Sequence, residues 1–116
     1  MNVVIAAGGT GGHLYPAIAV AREFLKRDPS TRILFVGTTR GIERKVLAHE
    51  GFPLQCIDAN PLMGKSLLEI LKALITLPKS LWQSLGILKK QSADLVFGVG
   101  GYTSPAMLLA AVLRRI

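Results

Sequence analysis

Two short apolar runs in this chain each lead into a cluster of glycines, and each cluster is followed by a helix-forming segment. Residues 2–7 run into Gly8, Gly9, Thr10, Gly11 and Gly12, and residues 94–99 run into the loop of Gly98, Gly100 and Gly101. Glycine between a buried strand and a helix lets the backbone turn with positive φ and lets its N–H groups approach a ligand closely. Strand–turn–helix units of this kind assemble into a parallel sheet covered by crossover helices. That pattern constrains the fold more than any property of the whole chain.

The remaining segments fit the same plan. Pro16 suits the first turn of a helix that continues over residues 17–26, and Asp28-Pro29-Ser30 breaks it. Residues 32–36 form a second β-rich run, and residues 41–50 a helix closed by Gly51 in the C′ position. A third strand over residues 54–57 precedes a loop at 58–65, which holds Asn60, Pro61 and Gly64. Residues 66–76 and 79–90 read as two helices split by Pro78. After a fourth strand at 94–99, Ser104 and Pro105 fit the N-cap and N1 positions of a last helix. The expected architecture is an α/β, Rossmann-like parallel sheet with helices on both faces and strand order 3-2-1-4. Both glycine loops then stand at the point where the winding reverses, the place where open α/β sheets bind ligands. Arg114-Arg115-Ile116 closes a helix where another strand of such a sheet is expected, so residues 1–116 read as an incomplete N-terminal domain.

Composition narrows the partners. The net charge is +7, yet no basic cluster is interleaved with aromatics and no zinc or RNA-binding signature occurs, so nucleic acid is not expected. Anionic lipid or phosphate accounts for the same charge. Half of the residues are hydrophobic, which excludes disorder. The uncharged stretches 3–21 and 95–113 are interrupted by glycines and a proline and are not membrane spans. Cys56, the single cysteine, fits a small buried hydrophobe. No carboxylate pair or His/Cys cluster points to a glycosidase or a metal site. His49 reads as solvated, and Asp94 as a cap or strand-entry residue rather than a catalyst.

The first glycine loop opens a helix, whose unsatisfied donors and positive dipole end favour a phosphate or pyrophosphate. The dinucleotide fingerprint beginning at Gly9 requires Gly or Ala at position 14 and meets Leu14 instead. The triphosphate P-loop fails as well, because no Gly-Lys-Ser/Thr follows. Gly8-Gly9-Thr10-Gly11-Gly12-His13, followed by Pro16-Ala17 and Ala19-Val20-Ala21, resembles the opening motif of the MurG family. Gly98-Val99-Gly100-Gly101-Tyr102 with Ser104-Pro105 resembles that family's second glycine loop, and Gly37-Thr38 falls at the matching spacing. The similarity runs along essentially the whole chain.

The resemblance implies the N-terminal half of a two-domain GT-B glycosyltransferase. MurG-like enzymes transfer GlcNAc from UDP-GlcNAc to a lipid-linked muramyl-pentapeptide pyrophosphate with inversion, and need no catalytic metal or other cofactor. The lipid-linked acceptor sits in the N-terminal domain, and UDP-GlcNAc in a C-terminal domain that this chain lacks. Acceptor and pyrophosphate contacts then fall on Gly8, Gly9, Thr10, Gly11 and Gly12 on one side, and on Gly100, Gly101, Tyr102, Thr103 and Ser104 on the other. His13 is the candidate catalytic base, with direct contact to a phosphate or sugar oxygen as the other role open to it.

Residues 65–90 carry five lysines against Glu69 alone, and more leucine and isoleucine than one core-facing stripe needs. Leu74, Ile75, Lys79, Leu81, Trp82, Leu85 and Lys89 are expected to contact an anionic membrane surface. For a MurG-like protein that surface is the cytoplasmic face of the bacterial inner membrane. Two other functions fit the same residues: the membrane-side subunit of a split GlcNAc transferase, and a non-catalytic module binding lipid pyrophosphate or nucleotide.

Overall fold

A computed structural model describes residues 1–7, 11–38, 43–57, 67–99 and 104–116, with the side chains at 11–13, 43, 69–70 and 72–74 left aside. Strands and helices alternate along the chain: β1 (Asn2–Ala6), α1 (Gly11–Arg27), β2 (Arg32–Gly37), α2 (Glu43–Glu50), β3 (Leu54–Cys56), α3 (Leu67–Gln91), β4 (Leu95–Gly98) and α4 (Ser104–Leu113). The four strands form one parallel sheet in the order β3-β2-β1-β4, as the sequence predicts. Its central strand β1 is apolar because both of its faces are covered. Val3 and Ile5 join the core under α1 and α2, while Val4 and Ala6 join the core under α3 and α4. The molecule is therefore three-layered, with one helix pair on each side of the sheet.

Prolines mark the two places where the helices differ from expectation. Pro16 lies inside α1 rather than in its first turn, because the helix already begins at Gly11. Leu14, Ala17, Ile18 and Ala21 are all buried at i, i+3, i+4 and i+7, so the helix must start before Pro16 to carry Leu14 into the core. Pro78, in turn, interrupts nothing: the two expected helices are one, α3, running from Leu67 to Gln91. An interior proline loses one backbone bond and costs about 3 kcal/mol in an isolated helix. Here Pro78 lies on the exposed side, where water can satisfy the freed carbonyl, while Ser80, Ser84, Ile87 and Leu88 are buried beyond it. Tertiary burial outweighs the local break.

Helix ends are closed by one device used three times. Gly51, at φ 80°, donates its N–H to Ala48 while Phe52 donates to Leu47, the paired bonds of a Schellman motif. Ser92 and Arg115 hold the same position after α3 and α4 with positive φ and the same pair of bonds. The end of α3 is further clasped to β1, since the Asn2 side-chain amide donates to the carbonyls of Gln91 and Ser92. Asp94 completes the clasp by accepting the Asn2 backbone N–H at 2.7 Å, and it stands at the entry to β4. After α1, Asp28 accepts both the hydroxyl and the backbone N–H of Ser30, which lowers its pKa below the ordinary 3.8. Cys56 is half-buried on the edge strand β3 rather than deep in the core, because nothing pairs beyond that strand in the described sheet. His49 is exposed, as expected, while its neighbour Glu50 pairs with Arg22 of α1.

Candidate functional site: the strand ends at the point of reversal

The winding of the sheet reverses between β1 and β4. The connections after β1 and β2 carry α1 and α2 on one face, whereas those after β3 and β4 carry α3 and α4 on the other. Ala6 stands directly opposite Gly98 in the parallel register. Val99 donates its N–H to the Ala6 carbonyl at 3.1 Å, and Ala7 donates to Val36 at 3.0 Å. Residues 7 and 99 therefore leave the sheet side by side, about one strand spacing apart. Along the chain, α1 starts at Gly11 and α4 at Ser104, soon after these two residues.

Helices α1 and α4 thus both begin beyond adjacent strand ends, and neither helix has an acidic residue in its first turn. Each helix start carries a positive dipole end, so the two act in the same sense on an anion. Gly11, Gly12 and His13 form the first turn of α1. The expected contacts at Gly8, Gly9, Thr10, Gly100, Gly101, Tyr102 and Thr103, and the side chain of His13, lie outside the described residues.

Ser104 has a role that sequence reasoning did not specify. Its hydroxyl is buried and donates to the Ala6 carbonyl at 3.2 Å, tying the start of α4 to the end of β1. Close packing at this point also explains Gly98. A Cβ there would stand 3.3 Å from the Ser104 Cβ and 3.1 Å from a Leu108 methyl carbon, which is tighter than ordinary contact. Because Ala6 also accepts from Val99, Ser104→Ala leaves no orphaned carbonyl. The expected cost is about 0.5–1.5 kcal/mol, read as a lower denaturation midpoint. An unchanged midpoint would show that the hydroxyl contributes nothing to stability.

The second region singled out by the sequence lies on α3. Leu68, Leu71, Ile75, Lys79, Trp82, Gly86 and Lys89 recur at three- and four-residue spacing, so they fall within about a quarter of the helix circumference. This strip is exposed along its described length, with Ile75 at 75% and Trp82 at 77% of full exposure. The opposite side of the helix carries Ser80, Ser84, Ile87 and Leu88 into the sheet. Leu81 and Leu85 are half-buried and pack against the core at the flank of the strip, and the Leu74 side chain lies outside the described set. Trp82 is therefore a surface residue, flanked by the exposed lysines Lys79 and Lys89. No helix among the described residues is long and apolar enough to cross a membrane.

A four-stranded parallel sheet whose winding reverses between β1 and β4 defines an open, doubly wound α/β protein. Residues 3–116 match the model of the glycosyltransferase family 28 N-terminal domain, and the chain belongs to that family. Among curated relatives it is 48% identical, over all of its 116 residues, to the UDP-N-acetylglucosamine--N-acetylmuramyl-(pentapeptide) pyrophosphoryl-undecaprenol N-acetylglucosamine transferase of Syntrophotalea carbinolica, of which it covers 32%. With the enzyme of the same name from Bdellovibrio bacteriovorus, identity is 50% over 110 residues, 95% of this chain and 31% of the relative. The crystal structure of Acinetobacter baumannii MurG superposes with a TM-score of 0.74 at 30% identity, covering 99% of this chain and 33% of that one. The chain spans about a third of the length of these relatives.

Proposed function

We propose that this chain is the acceptor-binding part of an inverting glycosyltransferase that moves GlcNAc from UDP-GlcNAc to undecaprenyl-pyrophosphoryl-MurNAc-pentapeptide in peptidoglycan synthesis. The observation that supports this reading is that two helices without first-turn acids follow adjacent strand ends in a family 28 chain. A pyrophosphate is the guest such a crevice favours. Backbone N–H groups of residues 8–12 donate from one side and those of residues 100–103 from the other, with the Thr10, Tyr102 and Thr103 hydroxyls adding bonds. Ser104 anchors the second wall through Ala6. His13 takes the proton from the acceptor hydroxyl as that oxygen attacks the anomeric carbon and UDP departs from the opposite face. UDP-GlcNAc is held by a second domain that closes over the crevice.

The direct test is GlcNAc transfer to lipid-linked muramyl-pentapeptide pyrophosphate in vesicles, with this chain alone and with a donor-binding half from the family. Transfer is expected only when both halves are present. Absence of transfer in both arms, with the chain shown to be folded, would count against the enzymatic reading and in favour of a binding module.

A lipid-linked acceptor requires the protein to work at a surface. The exposed strip of α3 suits that task, since leucine, isoleucine and tryptophan mixed with lysine place a helix in the interfacial plane. In this reading the strip docks on the cytoplasmic leaflet. Binding to anionic vesicles is expected to weaken as salt is raised, by about 1 kcal/mol for each lysine screened. Equal binding to neutral and anionic vesicles would rule out the electrostatic contribution.

A further inference from the structure

Thr38 stands just beyond the end of β2, and its hydroxyl has no partner in the described fold. The residue is buried, at 5% of full exposure, and among the described residues no group bonds its side chain. Ser84 and Ser104, also buried, donate to the carbonyls of Ser80 and Ala6. A buried hydroxyl without a partner is destabilising, and valine would fill the same space without it. Folding alone therefore does not account for threonine at this position.

Its place is at the carboxyl ends of the strands. Val36 accepts the Ala7 N–H and Gly37 accepts that of Ile57, so β2 stays paired on both sides up to the residue before Thr38. Strand alternation puts Thr38 on the side of Val36 and Ile57, which belong to the core under α3 and α4. Ala7 thus has Val99 on one flank and the exit of β2 on the other. Thr38 and Val99 are two strand spacings apart, about 10 Å, too far for one phosphate to span. A hydroxyl here meets a different part of a bound acceptor. Thr31 offers the comparison. It is buried at 7% of full exposure, with no side-chain partner among the described residues, but it precedes β2, at the end of the sheet where open α/β proteins do not bind ligands. An unpaired hydroxyl alone is not a site, and what sets Thr38 apart is its end of the sheet.

We propose that the Thr38 hydroxyl is a contact for the sugar of the acceptor, bonding one of its hydroxyl or N-acetyl oxygens from the β2 side of the crevice. The inference rests on the acceptor-binding reading of the strand ends and extends the site from two strands to three. Phosphate held between β1 and β4 fixes one end of the acceptor, and a bond from Thr38 fixes the direction in which the sugar lies across β1. Valine at this position leaves a sugar oxygen desolvated and unpaired, a loss felt only when the acceptor is bound. The same valine removes an unpaired hydroxyl from the free protein. These two effects have opposite signs, and that opposition separates a ligand contact from a structural bond.

The test compares Thr38→Val, Thr38→Ser and Thr31→Val in the full-length protein, by urea denaturation and by steady-state GlcNAc transfer to lipid-linked muramyl-pentapeptide pyrophosphate. Thr38→Val is expected to keep or raise the denaturation midpoint while raising KM for the acceptor about three- to tenfold, with kcat and the KM for UDP-GlcNAc little changed. Thr38→Ser keeps the hydroxyl and is expected to hold the acceptor KM within about twofold of the parent. Thr31→Val removes an equally buried hydroxyl from the other end of β2 and is expected to leave both KM values unchanged. A lower midpoint for Thr38→Val would place the hydroxyl's partner inside the protein and overturn the contact. So would an unchanged acceptor KM, a rise matched by Thr31→Val, or a rise in the KM for UDP-GlcNAc instead. Should the parent transfer no GlcNAc, the reading of the reaction fails, and binding decides Thr38 separately. The probe is then muramyl-pentapeptide pyrophosphate on a short, soluble prenyl chain, followed by the thermal midpoint. A rise in the parent that Thr38→Val reduces supports the contact, and an equal rise or none overturns it.

Discussion

In the full-length protein, His13→Ala lowers kcat for GlcNAc transfer by about 10²–10⁴-fold at saturating donor and acceptor. His13 belongs to the first turn of α1, the helix that follows β1 in the chain. The split between constants separates the two roles open to it. A base acts only in the transition state, so its loss falls on kcat; a residue that merely contacts the acceptor raises KM with kcat little changed. A kcat reduced by less than about tenfold would remove His13 from the role of base.

Phe35→Ala is expected to cost about 3–5 kcal/mol, a large part of the 5–15 kcal/mol that holds a typical domain together. Phe35 is fully buried in β2, opposite Ile5 of the central strand. Its ring meets that of Phe52 at 5.3 Å between centroids, tilted by 57°, and Phe52 is the residue that closes the Schellman turn of α2. Removing the ring therefore opens a cavity beneath α1 and also loosens the return into β3. A urea titration measures the effect as a fall in midpoint at unchanged slope. A loss below about 1 kcal/mol would mean that the core under α1 closes over the gap. The site would feel the change too, because β2 holds the end of β1 through the Ala7 to Val36 bond.

Most of the sheet was legible without coordinates. Short apolar runs bounded by Gly, Pro, Asp and Ser mark β1, β2, β3 and β4, and the alternation with helical segments implies parallel pairing. The C-cap at Gly51 was legible for the same local reason, since its positive φ suits glycine and strains other residues. Ser92 and Arg115 adopt the same conformation with no glycine to announce it, so two of the three helix ends carried no signal. Pro16 and Pro78 misled in the opposite sense: each is a local helix breaker set in a helix that burial on the sheet holds together.

The candidate site divides along the same line. The glycine loops and His13 are properties of short segments, legible in the sequence by itself, and the usual order of such sheets anticipated the strand order. Only the tertiary structure decided which surfaces they share. Parallel register sets Ala6 against Gly98, and long-range bonds from Val99 and Ser104 join segments more than ninety residues apart in the chain. The same holds for α3, whose apolar residues cover too much of its circumference for composition to tell core from surface. Packing against the sheet took Ile87 and Leu88 inward and left Ile75 and Trp82 outside. Backbone conformation and helix periodicity act between near neighbours in sequence, whereas burial depends on which distant element arrives to cover a face.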